Sequence, residues 1–243
     1  MKIRVAVVDG RIPEAARRSL MKEGFRVVTL SPHPGLSPAV ASHTDMLICS
    51  VRGELIAAAE YCELYPDVFT DLGELLRGWR FGFSADELGE KYPSDCRLNA
   101  LFMGDCLFAR RASLSEYLAS RAEAAGYRIV DVAQGYPACT VLKLSESSAV
   151  TADRGMARAL EKEGVSVTEI ECGHISLPPH EYGFIGGAAG VFGGRLYFLG
   201  DPKTHPSYEK ISAAAEAASL TVVPLCDGPL RDLGGILFAE GDV

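Results

Sequence analysis

Long hydrophobic runs are absent from this sequence. No apolar stretch approaches the ~20 residues that a membrane-spanning helix requires, so we expect no transmembrane segment. Residues 1–5 (MKIRV) enter a strand-like alternation directly, without the apolar core and small-residue cleavage site of a signal peptide. Both observations predict a cytoplasmic protein.

An excess of positive charge is also absent. The chain has 24 Lys and Arg against 32 Asp and Glu, which gives a net charge of −8 at pH 7. Binding to nucleic-acid phosphates or to an anionic membrane surface needs a basic footprint, so we expect neither as a partner. Hydrophobic residues still make up 48% of the chain, which predicts a folded protein with a core.

Metal-binding and disulfide patterns are missing as well. The seven cysteines are odd in number, irregular in spacing and include no CxxC pair, so neither a disulfide framework nor a zinc knuckle is indicated. Cys172, His174 and His180 lie near one another in sequence, but no second ligand pair accompanies them. The glycine-rich run at residues 183–190 lacks the Gly-Lys-Ser/Thr ending of a phosphate loop. We therefore expect no metal and no cofactor.

An internal repeat is the main positive feature of the chain. Four segments begin as an amphipathic helix and continue into a short β-branched strand, at residues 14–30, 116–132, 156–170 and 209–225. In the first three segments Gly24, Gly126 and Gly164 stand where a left-handed residue would end the helix. In the fourth segment the pair Ala218 and Ser219 takes that place.

Two apolar strands around a turn precede each helix. Hairpins are predicted at residues 45–58, 98–109, 140–151 and 184–199, and a fifth would form if a C-terminal strand at 235–239 paired with residues 3–8. The chain is thus predicted to be one domain over residues 1–243, built from five ββαβ units of about 49 residues each. Residues 60–95 fit worst, because their helical pattern is interrupted and a long connection follows it, so their structure stays open.

Five ββαβ units closed by the terminal strands resemble the pentein fold, the five-bladed α/β propeller of the guanidino-group modifying enzymes. That superfamily includes arginine deiminases, dimethylarginine hydrolases and amidinotransferases, and also a non-catalytic ribosome anti-association factor. Three segments resemble more closely an uncharacterised bacterial branch of the fold: residues 173–175 (GHI), 182–188 (YGFIGGA) and 205–210 (HPSYEK). The fold class is accordingly predicted as α/β.

The resemblance implies a site at one end of the central axis. In the enzymes of the superfamily a cysteine nucleophile begins the first strand of the last unit, a histidine comes from the preceding unit, and carboxylates hold the guanidinium group. The corresponding stretch here, residues 227–235 (DGPLRDLGG), contains no cysteine. This departure puts hydrolysis of the usual kind in doubt.

Matching positions in the repeat supply alternative site residues. Cys139, at the start of the fourth unit's first strand, is the best remaining thiol. His174 is the preferred acid or base and His180 the second choice, since a histidine can shuttle a proton near neutral pH. Ligand-binding candidates from the other units are Asp45, Asn99 and Asp232. Each also has a structural interpretation: a buried packing thiol, a loop histidine bonded to backbone, or an Asp that caps a turn.

Three functions remain open at this level. The first is a guanidino-modifying enzyme with a rearranged site, in which Cys139 attacks, His174 moves protons, and Asp45 and Asp232 hold the substrate. The second is a non-catalytic protein that binds a cationic or amino-acid-like small molecule in the same pocket. The third is a protein-interaction propeller that acts through a flat face. We expect a monomer or a homodimer with a small-molecule ligand; fold alone does not decide among the three.

Overall fold

In the computed structural model, which describes residues 2–242, short strands alternate with short helices. The described residues form fifteen strands, namely β1 (Lys2–Asp9), β2 (Phe25–Leu30), β3 (Ile48–Val51), β4 (Glu54–Ala58), β5 (Arg80–Ser84), β6 (Leu101–Met103), β7 (Cys106–Ala109), β8 (Arg128–Asp131), β9 (Val141–Lys143), β10 (Ser148–Thr151), β11 (Ser166–Glu169), β12 (Ala189–Phe192), β13 (Arg195–Phe198), β14 (Thr221–Pro224) and β15 (Leu237–Asp242). Their α-helices are α1 (Glu14–Lys22), α2 (Thr44–Leu47), α3 (Ala59–Leu64), α4 (Pro66–Leu75), α5 (Glu116–Ala124), α6 (Pro137–Thr140), α7 (Arg154–Lys162) and α8 (Tyr208–Ala217).

The strands form five sheets of three strands that share one topology. Their strand orders are β15-β1-β2, β3-β4-β5, β6-β7-β8, β9-β10-β11 and β12-β13-β14. In each sheet the middle strand pairs antiparallel with the first and parallel with the third. Each middle strand therefore has an antiparallel partner on one side. On its other side lies a parallel partner, which the chain reaches through a helical crossover, as the ββαβ repeat predicts.

The first strand of every sheet faces one shared centre. A single cavity of about 510 Å³ is lined by residues from all five of these strands, among them Cys49, Phe102, Leu142, Val191 and Leu237. Five sheets with their first strands around one axis are the architecture that the repeat predicts.

Pairing of the terminal strands closes the fifth unit. β1 runs antiparallel to β15, with Lys2 opposite Asp242 and Val7 opposite Leu237. The predicted pairing is confirmed, but β15 begins two residues later than the expected start at residue 235. Gly234 and Gly235 have φ values of +70° and +74°, a left-handed conformation that interrupts extended structure.

Left-handed residues end the helices of the repeat as predicted. Gly24, Gly126 and Gly164 have φ values of +89°, +88° and +80°, and Ser219 adopts +58° at the equivalent point of the fourth segment. Leu20 in α1 and Leu160 in α7 are fully buried on the inner faces of their helices. A short helix that ends at such a residue turns the chain back onto the sheet.

Residues 60–95 complete the second unit. The interrupted helical pattern corresponds to α3 and α4, which are separated at Tyr65, and Pro66 opens α4. Proline suits the first turn of a helix, but it disfavours helical backbone in the residue before it. β5 follows and pairs in parallel with β4, so this unit also has a full three-stranded sheet.

The other four predicted first strands also begin later than expected, at residues 48, 101, 141 and 189 instead of 45, 98, 140 and 184. The apolar runs from residues 45, 140 and 184 begin with, or follow, a helical turn: α2, α6 and the 3-10 turn Gly186–Ala188. Burial explains the error, because an apolar run in a core looks the same whether its first residues are helical or extended. These turns carry Asp45 and Cys139, two of the predicted site residues.

The hydrophobic core lies between neighbouring units. Its largest fully buried side chains include Tyr61, Phe108, Tyr197 and Phe198. Within the described chain no helix has the length and apolar character needed to cross a bilayer.

Candidate ligand-binding site

A second cavity, of about 440 Å³, is lined by a set of titratable and aromatic side chains. Its lining comes from four of the five units and from the loops at residues 85–100 and 171–185. The side chains that matter below are His43, Met46, Glu90, Asp95, Tyr136, Cys139, His180, Glu181, Tyr182, Phe184 and Asp232. The lining has no lysine or arginine but has four carboxylates, so it is strongly acidic.

Two helical turns build one wall of this cavity in the same way. His43 precedes α2 and Tyr136 precedes α6, and both residues line the cavity. The third residue of each turn, Met46 or Cys139, lines it as well. Because the two turns share one backbone conformation, the residue before each turn and the third residue of each turn both face the cavity.

Cys139 is hydrogen-bonded to two of the predicted site residues. Its Sγ donates to Asp45 Oδ2 at 2.6 Å and accepts from Asn99 Nδ2 at 3.4 Å. Asn99 Oδ1 also accepts the backbone N–H of Ala138 at 2.9 Å, which fixes the turn before the thiol. The side chain of Cys139 is buried, so the thiol is held in place by bonds from two other units.

Asp232 is held at the opposite wall by the backbone. Its carboxylate accepts the N–H of Phe184 at 2.8 Å and the N–H of Gly234 at 3.1 Å. A Cβ at Gly187 would overlap this carboxylate, and one at Gly183 would lie 2.5 Å from Asp232 Cβ. Glycine is therefore required at both positions for Asp232 to occupy its place.

The backbone of the fifth unit packs directly against the turn that contains Cys139. A Cβ at Gly186 would collide with the carbonyl oxygens of Ala138 and Val141 and would lie 2.7 Å from the carbonyl oxygen of Cys139. Only a residue without a side chain allows this approach.

His43 is a site residue that sequence reasoning missed. Its ring is completely buried, and Nδ1 lies 3.8 Å from Asp232 Oδ1. Neither ring nitrogen has a hydrogen-bond partner among the described residues. Burial lowers the pKa of His43 from 6.5 to about 4, so the imidazole is neutral at physiological pH. The signal that could have found it is its place immediately before a turn, which Tyr136 shares.

The pKa values of Asp45, Cys139 and Asp232 are all raised. Burial, followed by neighbouring negative charge, raises the pKa of Asp232 to about 7. Burial also raises the pKa of Asp45 to about 6. The pKa of Cys139 is raised well above 9.0, first by burial and then by the charges of Asp45 and Asp232. The thiol therefore keeps its proton, and a positive charge nearby would favour the ionised form of all three groups.

Tyr136 and Asp95 form a further polar pair at the rim. The hydroxyl of Tyr136 donates to Asp95 Oδ2 at 2.6 Å, and the other carboxylate oxygen of Asp95 is buried without a partner among the described residues. Tyr182 and Phe184 add aromatic surface, with ring centroids 6.4 Å apart. Carboxylates beside aromatic faces suit a cationic group.

The structure does not bring His174 to this cluster. It lies on the loop after β11, its side chain is 46% exposed, and its ring packs edge-on against His205 with centroids 5.5 Å apart. His180, the second predicted histidine, lines the cavity. Cys139, Asp45 and Asn99 are in contact, with Asp232 nearby, so four of the five predicted site residues meet and His174 does not.

Asp45 separates the two cavities. It is among the residues that line the axial cavity, while its hydrogen-bond partner Cys139 lines the acidic one. Its second oxygen, Oδ1, is buried and has no partner among the described residues.

Comparison with known proteins identifies the family. Residues 7–237 match the model of a family of unknown function, DUF6873. The chain belongs to the DUF6873 family. None of the curated proteins matches this DUF6873 chain in sequence.

Solved structures with the same fold are guanidino-group modifying enzymes. A DDAH from Pseudomonas aeruginosa, a mutant in complex with citrulline, is 10% identical, with a TM-score of 0.57 over 96% of this chain and 95% of the other. An agmatine deiminase from C. jejuni is 10% identical, with a TM-score of 0.56 over 92% of each chain. The amidinotransferase SxtG from Microseira wollei is 12% identical, with a TM-score of 0.53 over 93% of this chain and 77% of the other. This DUF6873 protein therefore has the pentein fold.

Proposed function

We propose that the acidic cavity binds a small cationic or amino-acid-like molecule of the guanidino class. The observation that carries this proposal is the lining: four carboxylates and three aromatic rings, with no lysine or arginine among the described lining residues. A cationic group in this cavity would lie among the carboxylates of Asp95 and Asp232 and the rings of Tyr136 and Phe184, all of which line it. The free acceptor of Asp95 is the position where a ligand N–H would bond.

The structural neighbours agree with this ligand class. The DDAH structure holds citrulline, and another neighbour is an agmatine deiminase. Cavities of roughly 300–1,000 Å³ are the usual size for small-molecule sites, and this one falls in that range at about 440 Å³.

Thermal unfolding with a ligand panel tests the proposal. Agmatine, arginine, citrulline and an uncharged alkyl analogue are compared, and a ligand at 100 times its Kd should stabilise the protein by about 2.7 kcal/mol. We expect the cationic compounds to raise Tm and the uncharged analogue to leave it unchanged. Asp95→Asn should reduce the effect, whereas Asp227→Asn, at an exposed position outside the cavity, should not.

An unchanged Tm for the whole panel would contradict the proposal and would favour a protein that acts through its surface. An equal loss in both Asp variants would show that overall charge, rather than the cavity, governs binding.

Covalent catalysis at Cys139 is a second candidate, favoured by its hydrogen bond to Asp45. In such a reaction Sγ would bond to the carbon of a guanidino group while the thiol proton passes to Asp45; Asp45 would then return that proton to the departing nitrogen as its bond to the carbon breaks, and an amine would leave. The positive charge of a bound cation next to Sγ would stabilise the thiolate. Intact mass spectrometry after mixing with agmatine tests this: an adduct should form, disappear in Cys139→Ala and persist in Cys172→Ala. No adduct in the parent protein would refute it.

A further inference from the structure

The strongest further feature is a cluster of three different metal-ligand types between the acidic cavity, lined by His43 and Cys139, and the axial cavity, lined by Asp45. We propose that His43, Asp45 and Cys139 bind one divalent transition-metal ion of the zinc class. This inference goes beyond the proposed function, since it concerns a different occupant held by different atoms.

The geometry of the cluster is close to that of a metal site. One ligand atom from each of His43, Asp45 and Cys139 lies within 4.8 Å of the other two. A tetrahedral zinc ion with bonds of about 2.0–2.3 Å needs donor atoms about 3.3–3.8 Å apart. Side-chain adjustments of less than about 1.5 Å therefore convert the cluster into a coordination shell.

Unpartnered buried atoms give an independent indication of a ligand. Both ring nitrogens of His43 and the Oδ1 atom of Asp45 are buried without a hydrogen-bond partner among the described residues. Buried polar atoms in folded proteins nearly always have a partner, and an exception calls for an explanation. A metal ion bonded to one ring nitrogen and to Asp45 satisfies two of these atoms together.

Charge balance also favours a divalent cation. A neutral imidazole, a carboxylate and a thiolate together carry two negative charges, which a divalent ion cancels. The nearby guanidinium of Arg11 does not supply this charge, because its NH2 group lies 2.6 Å from Asp9 Oδ2 and is paired there. Metal binding would break the Sγ–H bond and form the Sγ–metal bond, and the proton would go to solvent.

The donor set determines the class of ion. One nitrogen, one oxygen and one sulfur suit zinc and similar transition metals, whereas magnesium and calcium prefer oxygen ligands. Three protein ligands leave a fourth position open toward the cavity, the arrangement of zinc sites that take water or a ligand. Asp232 stays outside the shell, since both of its oxygens accept backbone N–H groups.

The ion and the proposed organic ligand are compatible. The charge of the ion is cancelled within its own ligands, so Asp95, whose Oδ1 has no partner among the described residues, remains available to a cationic group. An ion bonded to Cys139 would block nucleophilic attack by that thiol, so the metal-loaded protein would not carry out the covalent reaction.

Metal titration of the full-length, chelator-stripped protein tests the inference. We expect zinc to bind with one-to-one stoichiometry in calorimetry, and cobalt(II) to give the ultraviolet charge-transfer absorption of a thiolate ligand. Cys139→Ser and Asp45→Asn should each weaken zinc binding at least about tenfold. Cys172→Ser and His174→Gln, at exposed positions outside the cluster, should bind zinc like the parent protein. Circular dichroism confirms that each variant is folded.

Absence of zinc binding, or binding that is insensitive to both cluster variants, would overturn the inference. Loss in Cys172→Ser would move the ion to the exposed loop and overturn it as well. The organic-ligand panel run in chelator separates the two proposals. If panel ligands still raise Tm but zinc does not bind, the metal site alone fails. If zinc binds but no panel ligand does, the organic-ligand proposal alone fails.

Discussion

The Sγ atom of Cys139 donates a hydrogen bond of 2.6 Å to Oδ2 of Asp45, although 94 positions separate the two residues in the chain. The bond joins the fourth unit to the second across the axis of the fold. It also keeps the thiol inside the protein, with only 4% of the residue exposed. The consequences of this contact can be measured.

The first prediction concerns thiol reactivity. Cys172 is exposed, whereas Cys139 is buried and its thiol donates a hydrogen bond to the carboxylate of Asp45. Alkylation requires an accessible thiolate, so without ligand Cys139 should react at least about tenfold more slowly than Cys172, in steps limited by local opening. Peptide mapping of the native protein over time measures both rates. Equal rates would mean that the Cys139–Asp45 contact does not persist in solution.

The second prediction uses two glycines with opposite surroundings. At Gly187 a methyl group would overlap the Asp232 carboxylate, so Gly187→Ala should cost about 1–3 kcal/mol and should abolish ligand binding. At Gly73, inside α4, nothing lies within 4 Å of an added Cβ. Gly73→Ala should therefore stabilise the protein by about 0.5–1 kcal/mol and leave ligand binding unchanged. Chemical denaturation measures both effects, and a stable Gly187→Ala variant that binds normally would contradict the role of Asp232.

The third prediction compares two tyrosine hydroxyls. Tyr136 donates to Asp95 at the cavity, and Tyr65 donates to the carbonyl oxygen of Pro32 at an exposed position elsewhere. Tyr136→Phe should weaken ligand binding by about 1.5–3 kcal/mol, because the carboxylate loses a charge-assisted hydrogen bond that orients it. Tyr65→Phe removes a similar hydroxyl without touching the cavity, so the Kd should be unchanged. Titration calorimetry with the panel ligand that binds the parent protein most tightly measures the Kd of each variant. Identical Kd values in both variants would show that Asp95 is not part of the binding site.

The fourth prediction concerns acid stability and His205. Its ring is buried, and Nδ1 accepts the N–H of Ser207 at 3.0 Å. Burial, and next the positive charge of His174, lowers the pKa of His205 below 6.5. As the pH falls below 6.5 the unfolded chain gains this proton before the folded one does, so the free energy of unfolding decreases. Stability should be regained as the pH rises back through that value.

Urea denaturation at about pH 7.5 and 5.5 measures this effect. The midpoint of His205→Gln should fall less than that of the parent protein, while His180→Gln, a control at an exposed histidine that does not influence His205, should follow the parent. An equally steep fall in His205→Gln would assign the acid sensitivity to other groups.

Much of the fold was predictable because its information is local and repeated. A helix that ends at a left-handed residue and continues into a β-branched strand occurs four times, and the equivalence of the pair Ala218 and Ser219 to three glycines was visible from the repeat alone. The pairing of β1 with β15 followed because each end lacked one arm of a hairpin. The starts of the first strands were wrong, since a buried apolar run does not distinguish a helical turn from extended chain.

Only those site residues that occupy matching positions of the repeat could be predicted from the sequence. Cys139, Asp45 and Asn99 were chosen from matching positions, and the structure brings them into contact. His174 was chosen by analogy with the superfamily, and it does not line the cavity, although later residues of the same loop do. His43 was missed because the residues around it come from distant parts of the sequence; only its place immediately before a turn, which Tyr136 shares, could have indicated it. The expectation of no metal rested on the same kind of local spacing, which cannot detect a cluster drawn from residues 43, 45 and 139.

The contact of Gly186 with the turn that carries Cys139 has a consequence for how this family can evolve. Carbonyl oxygens of residues 138, 139 and 141 are buttressed by backbone from the fifth unit, so the turn is held without help from the side chain at position 139. A change of that side chain therefore need not move the turn. The scaffold therefore separates the placement of position 139 from the identity of its side chain, and we expect a family member that has Gly186 to tolerate a different side chain there.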